Sequence, residues 1–350
     1  MYRFALIGGG WRAQFFARTA QALPELFELT GTWMRDSEKR EVWAKTYGGR
    51  AAASVDELIA MKPEFIVVSL PTGVQIELLE KLLSADIPLL LETPLGRDDG
   101  ALAKVRELAD GRTGLINTAE QYTEWPLYRA WTEIIRLGLI GNVHSVTASS
   151  VHGYHAVSVI RHFLGTGMEK CRLTGFRYKY PIVKTGDRSG IVYGGEMSSY
   201  TRDIVNMEFA SGKTALYDFS NELYHTRILS RGFVIRGDRG EISWDSVRYV
   251  NSDGMPVLQK IERDSLGYND NNKMCLVALT LGDRYLYRNP YGHARINDDE
   301  IAVASIMEKM GKKARGELKD AYSFEDSMRD AELSILLYRA AELDGTLLEG

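Results

Sequence analysis

Only two cysteines occur in 350 residues, Cys171 and Cys275, and they are too far apart to form a metal-spaced pair. A chain this long with so few thiols suits a reducing compartment. No apolar run approaches the length of a membrane-crossing helix. The first residues enter an apolar strand at once, so no cleavable signal is expected. Charge of one sign is also lacking: the net charge is −4 with acids and bases interspersed, so neither a nucleic acid nor a membrane is demanded as partner. There is no internal repeat and no low-complexity linker. What remains is a cytoplasmic globular protein of ordinary composition, 45% hydrophobic and 26% charged, long enough for two domains with a core each.

Short apolar runs alternate with amphipathic stretches at the start. YRFALIG, FELTGTWM, FIVVSL and PLLLET read as buried strands; WRAQFFARTAQAL, SEKREVWAKTYG, QIELLEKLLSA and ALAKVRELADG read as helices. Ser54 and Glu57 form a capping-box pattern. Strands alternating with helices imply right-handed crossovers and a parallel sheet, complete near residue 118. From Val143 onward strands dominate and turns join neighbours directly. Hairpins are expected around Ala210–Lys213, Gly237–Gly240 and Asp253–Gly254. Two helices, WPLYRAWTEIIRLGLIG and AVSVIRHFLG, should lie against this largely antiparallel sheet, and the tail from Asp298 returns to helix. The expectation is an α/β protein: a dinucleotide-binding Rossmann domain over 1–118, then an α/β substrate and oligomerisation domain over 119–350 whose last helices pack back on the first.

The nucleotide signal is Gly8-Gly9-Gly10-Trp11-Arg12-Ala13, which fits G-x-G-x-x-G/A between a strand and a helix. Gly8 allows the tight turn, Gly10 lets a pyrophosphate approach the backbone, and Ala13 lets helix and strand pack closely. The helix start offers free N–H groups and a positive dipole end. NAD or NADP is the expected cofactor. The acid that binds the NAD ribose should end the second strand, but Met34 stands there, followed by Arg35 and Asp36. Arg35 suits adenine stacking or a 2′-phosphate, and equally a solvated loop charge; Asp36 suits a helix N-terminus.

These glycines, with IVVSLPTGVQIELLEKLLSADIPLLLETPLG, resemble the Gfo/Idh/MocA family, and the similarity continues through GLINTAEQYTEWPLYRAWTEIIRLGLIGNVHSV, HGYHAVSVIRHFLG and the closing helices. The resemblance implies a Rossmann domain followed by an α/β domain with a large open sheet, a homodimer or homotetramer, and a carbohydrate-like substrate. The family's Glu-Lys-Pro is here Glu92-Thr93-Pro94. Family position places Pro71, Thr72, Glu92 and Pro94 beside the nicotinamide and Asn117 near its carboxamide; Gln75 stands where family members often have histidine.

Hydride transfer at a carbinol needs a base for the hydroxyl proton, and imidazole suits that task. The resemblance assigns it to His155. Two family aspartates are absent, their positions held by Val151 and Ser158, and the lysine is Thr93. Losing one charge-assisted hydrogen bond costs about 1.5–3 kcal/mol, roughly ten- to a hundredfold in rate. Thr93 and Tyr122 are expected to orient the substrate, with Glu120, His152 and Tyr154 lining its site. His152 and His155 have metal-like spacing but no evident third ligand, so no metal is expected. His144, His162, His225 and His293 read as structural or surface residues. The sum is an NAD(P)-dependent dehydrogenase or reductase for a sugar, polyol or sugar derivative. Alternatives are a glycoside-cleaving enzyme that oxidises its sugar transiently and a dinucleotide-binding regulator without catalysis.

Overall fold

The computed structural model describes residues 1–266, 275–292 and 294–350; His293 lies outside them. In chain order the elements are β1 (Tyr2–Ile7), α1 (Trp11–Ala22), β2 (Phe27–Trp33), α2 (Ser37–Tyr47), β3 (Arg50–Ala51), α3 (Val55–Ala60), β4 (Phe65–Val68), α4 (Thr72–Leu83), β5 (Leu89–Leu91), α5 (Asp99–Leu108), β6 (Ile116–Thr118) and α6 (Pro126–Arg136). There follow β7 (Val143–Ala148), α7 (Gly153–Leu164), β8 (Cys171–Val183), β9 (Gly186–Asp187), β10 (Gly190–Ile191), β11 (Met197–Phe209), β12 (Thr214–Ser220), β13 (Phe233–Gly237), β14 (Gly240–Ser243), β15 (Ser246–Val250) and β16 (Pro256–Leu266). The last are β17 (Cys275–Leu281), β18 (Arg284–Arg288), α8 (Asp298–Ala314), α9 (Phe324–Glu342) and β19 (Leu348–Glu349).

The first six strands form one parallel sheet in the order β3-β2-β1-β4-β5-β6. β4, β5 and β6 are buried at every position, the signature of a sheet covered on both faces. The order reverses between β1 and β4, so the loops after these two strands part and open a crevice at their carboxyl ends, where α/β sheets of this type bind ligands. Helix starts behave as the sequence dictates. Asp36 caps α2 by accepting from the Lys39 N–H at 3.0 Å. Ser54 caps α3, but the Glu57 carboxylate reaches the Ala53 N–H at 2.7 Å instead of closing the box on Ser54. The complete box is at α8, where Asn297 and Glu300 exchange bonds.

The remaining sheet has the order β18-β17-β16-β15-β14-β13-β7-β12-β11-β8-β19. Its described pairings are antiparallel except β7 beside β12. Strand alternation decides its faces. Ala215, Tyr217 and Phe219 of β12 are buried, whereas Leu216 between them is 38% exposed. Helix α7 is buried along nearly its whole length, and Trp131 of α6 stacks on Phe233 and meets Phe163 edge-on. The three expected hairpins turn at their expected positions, with Gly212 and Gly254 at φ 82 and 78.

Two compact units divide the chain: Met1–Arg129 with Arg263–Leu279 and Tyr287–Ala331, and Ala130–Glu262 with Thr280–Leu286 and Glu332–Gly350. The cut read from the sequence at 118/119 falls inside the first of these, which also takes in α8 and the start of α9. Among the described residues, no helix is long and apolar enough to cross a membrane.

Candidate active site

In the first unit, the loop between β1 and α1 has the shape a dinucleotide requires. Gly8 holds φ at +122, and a Cβ there would stand 2.2 Å from the Ser69 carbonyl oxygen, on the loop after β4. Glycine at this position joins the two loops at the switch point of the sheet. Gly10 is ordinary extended backbone, φ −78 and ψ 179, and a Cβ there would meet nothing within 4 Å. Its value is therefore open space in front of a helix start that no side chain caps. Ala13 is fully buried. Trp11 is exposed and sits edge-on to Phe15 at 4.8 Å. These features fit a pyrophosphate.

Met34, where the ribose acid was sought, is packed beneath the loop: a Cβ at Gly9 would lie 2.7 Å from its Sδ and Cε. Arg35 is exposed and 3.7 Å from the equally exposed Glu77.

Arg12 does not reach into solvent. Its Nε donates to Glu92 Oε1 at 3.2 Å and its Nη1 to Asp299 Oδ2 at 3.0 Å, while its plane lies over Phe15 and Phe16. Burial works against the charged guanidinium, but the Glu92 and Asp299 carboxylates outweigh it and raise its pKa. The remaining Nη2 is buried and has no partner among the described residues. Asp299 also accepts from Trp125 Nε1 at 3.2 Å and Gln121 Nε2 at 3.5 Å. On the other side of the cluster, the Gln75 amide bonds both backbone groups of Glu92, and the Glu92 Oε2 accepts from the Thr93 N–H at 3.1 Å. Thr93–Pro94 is a cis peptide, and the Pro94 carbonyl accepts from the Thr72 hydroxyl at 3.3 Å. Pro71 caps α4 without a side-chain bond. The structure thus brings Arg12, Glu92, Thr93, Pro94 and Thr72 together.

Asn117 has a different neighbourhood. It is fully buried, and its Oδ1 accepts from the Ala321 and Tyr322 N–H groups at 2.7 and 3.2 Å. Its carbonyl is spent on holding that loop; its Nδ2 has no partner among the described residues. Glu120 is fully buried and accepts from the Tyr122 N–H at 3.1 Å. The Tyr122 ring stacks on Trp125 at 5.5 Å. Burial, followed by the Asp299 and Glu120 charges, pushes the Tyr122 hydroxyl well above its ordinary pKa, so it stays a donor.

In the second unit, α7 presents the histidines. His152 is its N-cap and His155 lies in its first turn; their rings meet edge-on at 5.2 Å. Gly153 between them has φ +38, and a Cβ there would lie 2.2 Å from the Tyr338 hydroxyl. The Tyr217 hydroxyl accepts from the Gly153 N–H at 3.2 Å, fixing the helix start. His155 is half-buried, while Tyr154 is 4% exposed and edge-on to it at 5.6 Å. Ser158 donates to the His155 carbonyl at 3.0 Å. The Tyr224 ring lies 5.3 Å from His152, and its buried hydroxyl has no partner among the described residues. His144, His162 and His225 are exposed. Among the described residues, no three His, Cys, Asp or Glu side chains are grouped to hold a metal.

Asp299, Gln121, Trp125 and Tyr224 carried no signal in the sequence. Asp299 belongs to an acidic triplet at a helix start, which the dipole alone explains.

Residues 2–119 match the model of a family described as oxidoreductases with an NAD-binding Rossmann fold. No curated protein matches the chain in sequence. Among solved structures, a levoglucosan dehydrogenase in complex with NADH and levoglucosan is 14% identical, with 99% of each chain covered and a TM-score of 0.71. A scyllo-inositol dehydrogenase from Lactobacillus casei is 14% identical over 100% of this chain and 98% of its own, with a TM-score of 0.68. A UDP-N-acetylglucosamine 3-dehydrogenase from Acidithiobacillus ferrooxidans is also 14% identical, with 98% of each chain covered and a TM-score of 0.65. At these identities the likeness is one of fold.

Proposed function

We propose, from the match of residues 2–119 to the Gfo/Idh/MocA oxidoreductase family, that the chain is an NAD(P)-dependent enzyme oxidising or reducing a CH–OH group of a sugar, polyol or sugar derivative. The observation that carries this reading is the glycine turn at the switch point, with open space over Gly10 at an uncapped helix start. Gly8, Gly10, Trp11 and Ala13 would hold the pyrophosphate, and Thr72, Glu92 and Pro94 would border the ring. Bound there, the nicotinamide supplies the hydride acceptor or donor. The substrate class follows the levoglucosan and scyllo-inositol dehydrogenases of the same fold.

His155 exchanges the hydroxyl proton. In the oxidative direction the carbinol C–H bond breaks with its electron pair leaving as hydride, the O–H proton passes to the imidazole, and the C=O bond forms; reduction is the reverse. An imidazole has one nitrogen to accept a proton and, once protonated, can return it, which serves both directions. Thr93 supplies a neutral hydroxyl for orientation and Tyr122 a hydroxyl that keeps its proton. The second sheet offers a route to an oligomer. Its uncovered face carries Phe176, Tyr178 and Leu216 beside the cross-strand pairs Arg172–Glu208 and Arg236–Glu241.

The test is a coenzyme assay with a panel of sugars, polyols and their keto forms, read as nicotinamide absorbance. Turnover with at least one of them, lost in His155→Ala, is expected. No change with either coenzyme and any substrate refutes the proposal. Cleavage of a glycoside without net reduced coenzyme would instead assign the transient-oxidation reaction.

A further inference from the structure

We infer that the crevice selects the 2′-phosphorylated coenzyme, NADP or its reduced form, over NAD, and that Arg35 makes the selection. The inference rests on the dinucleotide reading above and deepens it. In a parallel sheet of this order the adenosine half of a dinucleotide lies at the carboxyl end of β2. An acid there accepts from the ribose hydroxyls of NAD, or an arginine meets the 2′-phosphate of NADP. Met34, the residue after β2, is 9% exposed, with its Sδ and Cε 2.7 Å from where a Gly9 Cβ would stand. The next acid, Asp36, is committed to α2: it accepts from the Lys39 N–H at 3.0 Å and lies 3.7 Å from the Lys39 ammonium. Two guanidiniums flank the same point. Arg35 stands between Met34 and the start of α2 with its side chain 70% exposed; among the described residues it pairs with Glu77, 71% exposed, at 3.7 Å. An exposed pair of that length holds its cation weakly. Arg40, one turn into α2, donates from Nη1 to the Met34 carbonyl at 3.3 Å, which ties it to the end of β2. Its Nε is buried without a partner among the described residues.

Residues 35–41 carry three cations, Arg35, Lys39 and Arg40, and three acids, Asp36, Glu38 and Glu41; Glu77 adds a fourth acid. Selection therefore rests on where the groups stand and not on a net field. Lys39 already faces Asp36, and Glu38 and Glu41 are exposed on α2. A guanidinium binds a phosphate through two parallel N–H bonds, and a phosphomonoester brings about two negative charges where the NAD ribose has none. That gain exceeds the loss of the exposed Glu77 pair. Stacking of Arg35 on adenine would serve NAD and NADP alike. The ratio of their dissociation constants therefore isolates the contact to the 2′-phosphate.

Calorimetric titration of the purified full chain with NADP, NADPH, NAD and NADH decides it. The 2′-phosphorylated forms should bind at least about tenfold more tightly than their counterparts, and added salt should narrow the gap because Arg35 is exposed. Arg35→Ala should cut NADP affinity by roughly ten- to a hundredfold while NAD affinity and the melting temperature of the free protein hold. Arg35→Lys should recover only part of the loss, because a single ammonium replaces the fork. Arg106→Ala, which removes an exposed arginine near the end of α5, should leave both affinities unchanged. Equal or tighter binding of NAD, or an Arg35→Ala loss shared equally by both coenzymes, overturns the inference and leaves the dinucleotide reading standing. Failure of all four to bind removes that reading itself.

Discussion

Gln75 grips Glu92 as a neighbouring strand would: its Nε2 donates to the Glu92 carbonyl and its Oε1 accepts from the Glu92 N–H, both at 3.0 Å. Gln75 is 2% exposed, so the two bonds run through a dry interior. The grip sets where the Glu92 carboxylate meets Arg12. Gln75→Leu keeps the volume and removes both bonds. It should cost about 1–3 kcal/mol in denaturant unfolding and weaken coenzyme binding, because the Glu92 carbonyl is left unsatisfied.

The glycines of the first loop serve different needs, and substitution separates them. Gly8→Ala meets both a positive φ and the Ser69 oxygen, so stability should fall by more than about 1 kcal/mol. Gly10→Ser meets open space and gives α1 a favourable N-cap, so stability should hold or rise by a few tenths of a kcal/mol, roughly. Coenzyme affinity should nevertheless drop in Gly10→Ser, since the new side chain occupies the approach of the pyrophosphate. Thermal melts with and without coenzyme check both.

Two tyrosines near α7 make a second contrast. Tyr217→Phe removes the acceptor of the Gly153 N–H and should destabilise by about 1 kcal/mol. Tyr224→Phe removes a buried hydroxyl that has no partner among the described residues, so denaturant unfolding should show stability unchanged or higher.

Much of this is legible in the sequence because local rules act there without competition. β4 and β5 read as unbroken apolar runs, and their burial on both faces is the reason. The second sheet announces itself through turns, since Gly212 and Gly254 stand where the backbone needs positive φ. Pairings across the chain are not legible. Arg12 and Asp299 are 287 positions apart, and nothing in a glycine motif says that its arginine turns inward to carboxylates rather than outward to phosphate. Asn117 lies in the middle of β6, and a loop more than two hundred residues later takes its side-chain oxygen. A two-residue strand such as β3 is too short for any period to show.

The last expectation concerns Glu124 and Lys309. Glu124 is 6% exposed and accepts from Lys309 and, at 2.7 Å, from the Ser305 hydroxyl. Burial alone would raise its pKa; the Lys309 charge and bond reverse this and hold it below the ordinary carboxylate value. A folded pKa below the unfolded one means the pair stabilises the fold above the unfolded pKa and loses that contribution as pH falls through the folded one. Lys309→Met removes the larger of two cationic influences and leaves burial, the largest effect, opposed only by Arg129 and the Ser305 bond, so the sign should invert. The variant should lose about 2–3 kcal/mol near neutral pH, less than a fully enclosed pair would, because the Ser305 bond persists and Lys309 is a third exposed. On acidification toward the unfolded carboxylate pKa its deficit should shrink as Glu124 takes up a proton. Denaturant unfolding of both proteins from neutral to mildly acid pH reads the difference; a deficit that stays constant or grows would show that Glu124 keeps its charge without Lys309.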